Sequence, residues 1–398
     1  MLSVEEALDR IRAVARLTDP ETVPIEAATG RTLVDRVTTA MLDVPPFANS
    51  AMDGYAVRAG ETPGQLRVVG EAVAGARAVT TIGAGETVRI MTGAPIPIGA
   101  DAVVPVEEAS ELEGGSVELP AAPPGRHVRP AGNDTRRGDR IALPAAPLTP
   151  GSLALLASLG LGALAVRRRP RVAILSTGDE LAAPGSPLGP GQIHDANSAA
   201  LAAAVIEAGG EPLVLPRASD DRAAIEGLLR EAAAEADLVV ASGGVSMGRT
   251  DHVRDAIQSL GSLDFWRIRL QPGKPLAFGA IGNRPAVGLP GNPVSALVTF
   301  ELFVRPLIRA MLGLRGDGRL HLAARLEGPI PKDRDRRAYV RVVLRREGVG
   351  FSARSAGGQG SAQLRGMGQA NALLAIPEGE PAGMAGATYD AIVFGEIG

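Results

Sequence analysis

The first apolar positions recur at helical spacing. After Ser3, the residues Val4, Leu8, Ile11 and Val14/Ala15 fall on one face, and Ser3-Val4-Glu5-Glu6 reads as a capping box, so the chain opens with an amphipathic helix. From about Leu66 to Leu143 that period vanishes: short apolar runs (LRVVGEAV, ETVRIMTG, DAVVPVEE, GSVELP, RHVRP, DRIALP) alternate with Gly/Pro turns and predict a small β domain. Thr149 as N-cap and Pro150 at the first helical position start a second helix, with SLALLASLGLGALAV leading into Arg167-Arg168-Arg169-Pro170. Beyond Arg171 strands and helices alternate (RVAILS, NSAALAAAVIEAGG, EPLVLP, DDRAAIEGLLREAAAEA, DLVVAS, DHVRDAIQSLG), the pattern of consecutive βαβ units on a parallel sheet. FWRIRL, PLAFGAI and PAVGLPG add strands, and a long helix runs from about Pro293 to Leu312. LHLAARL, AYVRVVLRR, VGFSARS, NALLAIP and TYDAIVF then predict a second β domain.

Composition narrows the class. At 398 residues, with 45% hydrophobic and 21% charged, the chain is globular and large enough for several domains. A net charge of -3 and 3% aromatic residues disfavour nucleic-acid binding. The absence of cysteine excludes disulfides, thiolate ligands and cysteine nucleophiles, and His127, His194, His252 and His321 lack paired zinc spacing. Any metal is therefore expected to be hard and oxygen-bound. Glu5, Glu6 and Asp9 stand where a basic leader would be, and no apolar run reaches the length of a membrane span, so a cytoplasmic protein with no membrane partner is expected. The triple arginine reads as a solvated domain junction and Lys332 to Arg337 as a charged turn.

Ligands of open α/β sheets bind beyond the carboxyl ends of the strands. Three loops there join glycine to small polar side chains ahead of a helix: Ser176-Thr177-Gly178-Asp179-Glu180, Ser242-Gly243-Gly244-Val245-Ser246-Met247-Gly248, and Leu289-Pro290-Gly291-Asn292-Pro293-Val294-Ser295. Together they describe a phosphate cradle built on backbone N–H groups. Asn292 with Pro293 also suits a simple helix start. Carboxylates punctuate the same loops at Asp179, Glu180, Asp220, Asp221 and Asp251. Phosphate alone would be repelled by them, and a magnesium ion accepting oxygens from both resolves the conflict. Read singly, Asp220 and Asp251 also suit helix N-caps. Lys274, in QPGKP, offers a positive charge for phosphate or an oxyanion.

PPFANSAMDGYAV, MTGAPIP, ILSTGDEL, SGGVSMGRTDHV, QPGKPLAFG, GLPGNPVSALVTFELFVRP and GQGSAQL, in this order, resemble the molybdopterin molybdenumtransferases of molybdenum-cofactor biosynthesis, to which the carboxy-terminal region of gephyrin is related. The resemblance covers essentially the whole chain. It implies a multidomain α/β plus β fold: a helical linker region (1–40 and 131–168), an inserted small β domain (41–130), a three-layer parallel-sheet molybdopterin-binding domain (169–315) and a carboxy-terminal β-barrel (316–398). It further implies a homodimer whose site is shared across subunits, and a Mg²⁺-dependent reaction of adenylylated molybdopterin with molybdate that releases AMP. The adenylyltransferase and recipient molybdoenzymes are the implied partners.

By the same resemblance Asp53, Thr92, Asp134, Lys274 and Ser361 are catalytic candidates, with Phe47, Met52 and Tyr55 anchoring the Asp53 segment. Glu180, Asp251 and Asp220 or Asp221 are candidates for the metal, and Pro290 and Pro293 for the substrate. Gln271 stands where many members carry lysine, so a second positive charge beside Lys274 is missing. Two other activities fit parts of the pattern: the preceding adenylyltransferase step, which leaves SAMDGYA and the barrel without a purpose, and a gephyrin-like scaffold, which has no need of the acidic ring.

Overall fold

The computed structural model describes residues 1–75, 80–245 and 252–398. Helix α1 (Val4–Ala13) starts at the Ser3–Glu6 capping box and buries Val4, Ala7 and Ile11. These side chains join a core with Phe300, Phe303 and Leu307. Leu2 pairs by backbone with Arg267 and Arg269, so the amino terminus is stitched to the α/β unit.

Two separated segments meet next. Pro20–Pro24 pairs antiparallel with Ala163–Arg167, and Val37–Thr39 with Arg140–Ala142. Helix α2 (Pro150–Ser158) has Thr149 accepting from Ser152 N and Pro150 in its first turn. It is shorter than SLALLASLGLGALAV suggests, because Gly160 takes φ 83° and ends the helix, and Ala163–Arg167 extends as a strand. The triple arginine is tied in rather than merely solvated: Arg167 Nη1 donates to Thr18 O, and Arg168 makes two bonds to the Asp237 carboxylate.

Between these segments lies a six-stranded sheet, in the order Ala102–Pro105, Gly54–Val57, Glu86–Ile90, Gly64–Ala72, Ser116–Leu119, Ser110–Leu112. Alternation along Gly54–Val57 sends Tyr55 and Val57 to one apolar cluster and Ala56 to another. Gly54 passes so close to the Val104 carbonyl that a Cβ would collide with it. The glycine of the Asp53-Gly54 pair thus serves strand packing.

The α/β unit has the sheet order Glu211–Val214, Arg171–Ser176, Leu238–Ser242, Arg284–Leu289, Ala277–Ile281, Gly261–Phe265. The first four strands are parallel, Ala277–Ile281 runs antiparallel to them, and Gly261–Phe265 pairs antiparallel with it at the edge. Its helices are α3 (Ala196–Ala208), α4 (Arg222–Glu235), α5 (His252–Leu260), α6 (Pro293–Thr299) and α7 (Arg305–Met311), the last two joined by a π-helical turn at Phe300–Val304. Helices α4 and α5 cover one face, and α3, α6, α7 and α1 the other, giving three layers. FWRIRL is not a strand: the edge strand ends at Phe265, and Arg267 and Arg269 turn their backbone to Leu2.

Arg337–Glu347, Gly350–Ser355, Leu320–Leu326, Thr388–Val393 and Ala372–Ile376 close into a five-stranded barrel through pairing of the first with the last. Helix α8 (Leu364–Gln369) follows the loop that reaches back to the α/β unit. Among the described residues no helix is long and apolar enough to cross a membrane.

Candidate active site

Parallel pairing aligns Ser176 with Ser242 and Ser242 with Leu289, so the three glycine-bearing loops leave the sheet side by side. Between them lies a cleft of about 660 Å³. Thr177, Gly178 and Glu180 line it from the first loop, Ser242, Gly243 and Gly244 from the second, Pro290, Gly291, Asn292 and Pro293 from the third, and Asp220 from the side. Ser246, Gly248 and Asp251 lie outside the described residues.

The loops are knitted to one another through their backbones. Thr177 N donates to Ser242 O at 3.1 Å, Gly178 N to Ala218 O at 3.3 Å, and Gly243 N to Leu289 O at 3.1 Å. These amides hold the walls together, which modifies the expected cradle of loop N–H groups. The starts of two helices also line the cleft, Ala196 and Asn197 of α3 and Gly291 to Pro293 at α6. Gly243, at φ 99°, lets the first two loops touch, since a Cβ there would stand 2.7 Å from Thr177 Oγ1 and 2.8 Å from its carbonyl oxygen. Gly178, at φ 144°, lies directly beneath the Glu180 carboxylate.

Several residues that carry this arrangement went unread in the sequence. Asn197 Nδ2 donates to Ser242 Oγ at 2.8 Å and to Gly291 O at 2.7 Å, joining two loops through one side chain. Buried Asp195 caps α3, accepting from Ser198 N at 3.0 Å. Ser176 does not line the cleft; it is buried with its hydroxyl 2.8 Å from Ser198 Oγ. An aspartate ahead of an apolar helical run was a legible cap, whereas nothing local marked Asn197.

The barrel contributes to the rim. Asn292 occupies the N-cap position of α6 without capping it, and its Nδ2 donates to Ser361 Oγ at 2.9 Å. Val294 N donates to Ser361 O at 3.1 Å. That loop is held from below by Arg341, which has no exposed surface. Its Nη2 donates to Gly358 O at 2.5 Å and Gly360 O at 3.2 Å, while Nε and Nη1 have no hydrogen-bond partner among the described residues. Burial pulls the Arg341 pKa below its ordinary value. Lys274 is half-buried and outside the cleft lining, although its neighbour Pro275 lines it. Its turn is pressed against α6, where a Cβ on Gly273 would meet Thr299 Cγ2 at 2.5 Å. Gln271 is engaged in the barrel, its Oε1 accepting from Asp333 N at 2.7 Å.

Among the described residues no group of three or more acidic or histidine side chains could hold a metal unaided. Mg²⁺ needs less from a protein, because one or two carboxylates suffice when phosphate and water complete its shell. Glu180 and Asp220 both line the cleft, so this oxygen donor set fits such an ion. Asp221 is occupied otherwise: it caps α4 by accepting from Ala224 N at 2.8 Å. Asp179 accepts from Asp220 N at 3.2 Å and steadies that loop.

Asp53, Thr92 and Asp134 do not line this cleft. The Asp53 carboxylate accepts from Thr92 N at 2.6 Å and Thr92 Oγ1 at 2.8 Å, and those bonds, the backbone one first, hold its pKa below the ordinary range. Asp134 is exposed, its N–H bonded to Val44 O at 3.0 Å. Of the three side chains expected to anchor this segment only Tyr55 is buried, with its hydroxyl bonded to Glu111 at 2.7 Å. Phe47 is 45% exposed and Met52 38%.

Fold and site together define a multidomain α/β protein with a loop-lined cleft at the carboxyl ends of its parallel strands, a separate β insert, and a closed barrel that reaches the cleft rim. Family models match in the same order: the MoeA N-terminal region (domain I and II) over residues 2–160, a probable molybdopterin binding domain over 173–310, and the MoeA C-terminal region (domain IV) over 323–394. The chain is 41% identical to molybdopterin molybdenumtransferase 2 of Mycobacterium tuberculosis, over 95% of this chain and 96% of that one. It is 36% identical to the molybdopterin molybdenumtransferase of Haemophilus influenzae, over 79% and 78%. Two solved structures of the molybdopterin biosynthesis MoeA protein of Pyrococcus horikoshii superpose with TM-scores of 0.84 and 0.82 at 33% and 28% identity. They cover 100% and 99% of this chain and 100% of each of theirs. The chain belongs to the molybdopterin molybdenumtransferase family, enzymes of the transferase class in molybdenum-cofactor biosynthesis.

Proposed function

We propose that the chain inserts molybdenum from molybdate into adenylylated molybdopterin, with cleavage of the diphosphate and release of AMP. The observation that carries this reading is the cleft itself: two helix N-termini and two carboxylates, Glu180 and Asp220, face one space. Helix N-termini suit a diphosphate, and carboxylates beside a diphosphate suit a hard cation between them.

Glu180 and Asp220 would hold Mg²⁺, which when bound neutralises charge on the cleaving diphosphate. The chain's own groups orient the rest. Asn197 fixes the Ser242 and Gly291 loops against each other, and Asn292 with Ser361 sets the rim. Lys274 is assigned to the oxyanion, since Gln271 is engaged in the barrel and supplies no charge. Asp53, Thr92 and Asp134 are assigned to the cleft of a second copy. Exposed Phe47 and Met52 beside Asp53 support burial of that segment in a homodimer. The setting is cytoplasmic, with the adenylyltransferase supplying substrate and molybdoenzymes receiving product.

Incubation with adenylylated molybdopterin, molybdate and Mg²⁺ is expected to release AMP, with Glu180→Gln shifting the magnesium requirement upward. ATP-dependent adenylylation of molybdopterin without AMP release from the adenylylated form would assign the preceding step instead. Inactivity in both assays would leave the scaffold reading.

A further inference from the structure

The chain has a single tryptophan, Trp266, and it sits where the edge strand ends. Two guanidinium groups stack on its ring, with Arg254 Cζ 4.5 Å and Arg267 Cζ 4.1 Å from the centroid. Both cations are attracted to the electron-rich π system of the indole, which fixes the plane of the ring. The indole N–H then donates to Val245 O at 2.7 Å. Arg254 supplies a second bond from the start of α5, its backbone N–H donating to Gly244 O at 3.3 Å.

Two successive carbonyls of the cleft wall are therefore held by one cluster. In a trans peptide the N–H points opposite to the preceding C=O, so binding the Gly244 carbonyl also sets the direction of the Val245 N–H. The wall needs such a restraint, because Gly243 and Gly244 have positive φ (99° and 61°) and no side chains of their own to pack. Two residues beyond Trp266, Ile268 N donates to Lys274 O at 3.2 Å, so the same segment also supports the lysine turn.

We propose that Trp266 is a positioning residue for the reaction: stacked with Arg254 and Arg267, it holds the Gly243–Val245 wall in the geometry that receives the phosphate end of the substrate. This rests on the reading of the cleft as the site of the adenylylated pterin.

Trp266→Phe keeps an aromatic ring for the arginines and removes the donor. In the full-length protein, amide hydrogen exchange over the Gly243–Val245 wall is expected to quicken while the barrel is unchanged. The affinity for AMP, measured by calorimetry, is expected to weaken by about tenfold, and KM for adenylylated molybdopterin to rise alike with kcat held within about twofold. Arg254→Gln, which leaves the indole donor in place, is expected to move the same quantities in the same direction by about threefold, and decides the matter if Trp266→Phe does not fold. Unaltered exchange at the wall overturns the proposal. A lowered melting temperature with AMP affinity and KM unmoved also overturns it, since that is what a merely structural tryptophan gives. If the wild-type protein binds no AMP, the reading of the cleft falls, and the exchange measurement alone decides whether Trp266 sets the wall.

Discussion

At the scale of the residue, the chemistry depends on polar groups whose partners are fixed in advance. The Asp53 carboxylate takes both of its bonds from Thr92 on the neighbouring loop, which favours the ionised form and fixes one oxygen in place. Thr92→Val deletes the hydroxyl bond and keeps the backbone one. The Asp53 pKa, followed by NMR of its carboxyl carbon, is expected to move upward toward the ordinary value and remain well below neutrality. Asp53 then stays charged at pH 7, so any loss of turnover in Thr92→Val reports orientation rather than charge. An unmoved titration would show that the backbone bond alone sets the site. Arg341 is the opposite case. A guanidinium without exposed surface and with two nitrogens unpartnered among the described residues is costly to bury, and its two bonds to the Gly358 and Gly360 carbonyls are what it returns to the cleft rim.

At the scale of the element, the loops matter more than the strands they follow, and they are the part that local sequence describes least completely. Periodicity was sufficient to place α1, α3 and α4, and the Ser3–Glu6 box also marked the start of α1, whereas Asp195 and Asp221 went unread as the caps of α3 and α4. The barrel strands were legible as short apolar runs, and their closure follows from the pairing of Arg337–Glu347 with Ala372–Ile376, which no run announces. FWRIRL failed as a strand for a related reason. Its backbone is bonded to Leu2 and its indole lies beneath Arg254, partners distant in sequence. Within the cleft, the glycines were visible and their task was not: Gly243 has no side chain because Thr177 occupies that space. Gly243→Ala is accordingly expected to destabilise the fold by about 1–3 kcal/mol in denaturant unfolding, from the positive φ and the close contact together. AMP binding should weaken as the first two loops separate. A variant as stable as wild type would mean that the loops shift at no cost.

At the scale of the whole molecule, the α/β unit and the barrel are joined by charge. Arg319, just ahead of the first barrel strand, pairs with Glu207 on α3 and Glu301 in the π-helical turn, and buried Arg305 pairs with both of the same carboxylates. Two residues on, His321 has both ring nitrogens 2.9 Å from carboxylates, Nδ1 from Asp390 and Nε2 from Asp317. Burial acts to lower its pKa, and the bonds to Asp317 and Asp390 outweigh that and raise it. Because the folded pKa lies above the unfolded value of about 6.5, the stabilisation is fully present below that pH and is lost as pH rises through the folded pKa. His321→Gln should therefore lower the denaturation midpoint at pH 6, and the difference from wild type should close at pH 9; a constant difference would show that protonation has no part in the junction. Charge joins the domains of one chain, but the Asp53–Thr92 pair does not line the cleft between the three glycine-bearing loops, and the proposed dimer would supply the missing relation. On that reading Asp53→Asn and Lys274→Ala each abolish metal insertion, since each spoils both sites of a homodimer. Mixed under subunit exchange, they form heterodimers with one site carrying both wild-type residues and one carrying neither. At full random exchange about half the dimers are mixed and half of their sites are intact, so about a quarter of wild-type activity should return when sites act independently. Heterodimers verified by mass that remain inactive would place Asp53 and Lys274 in the same subunit's site, or show that one disabled site silences the other.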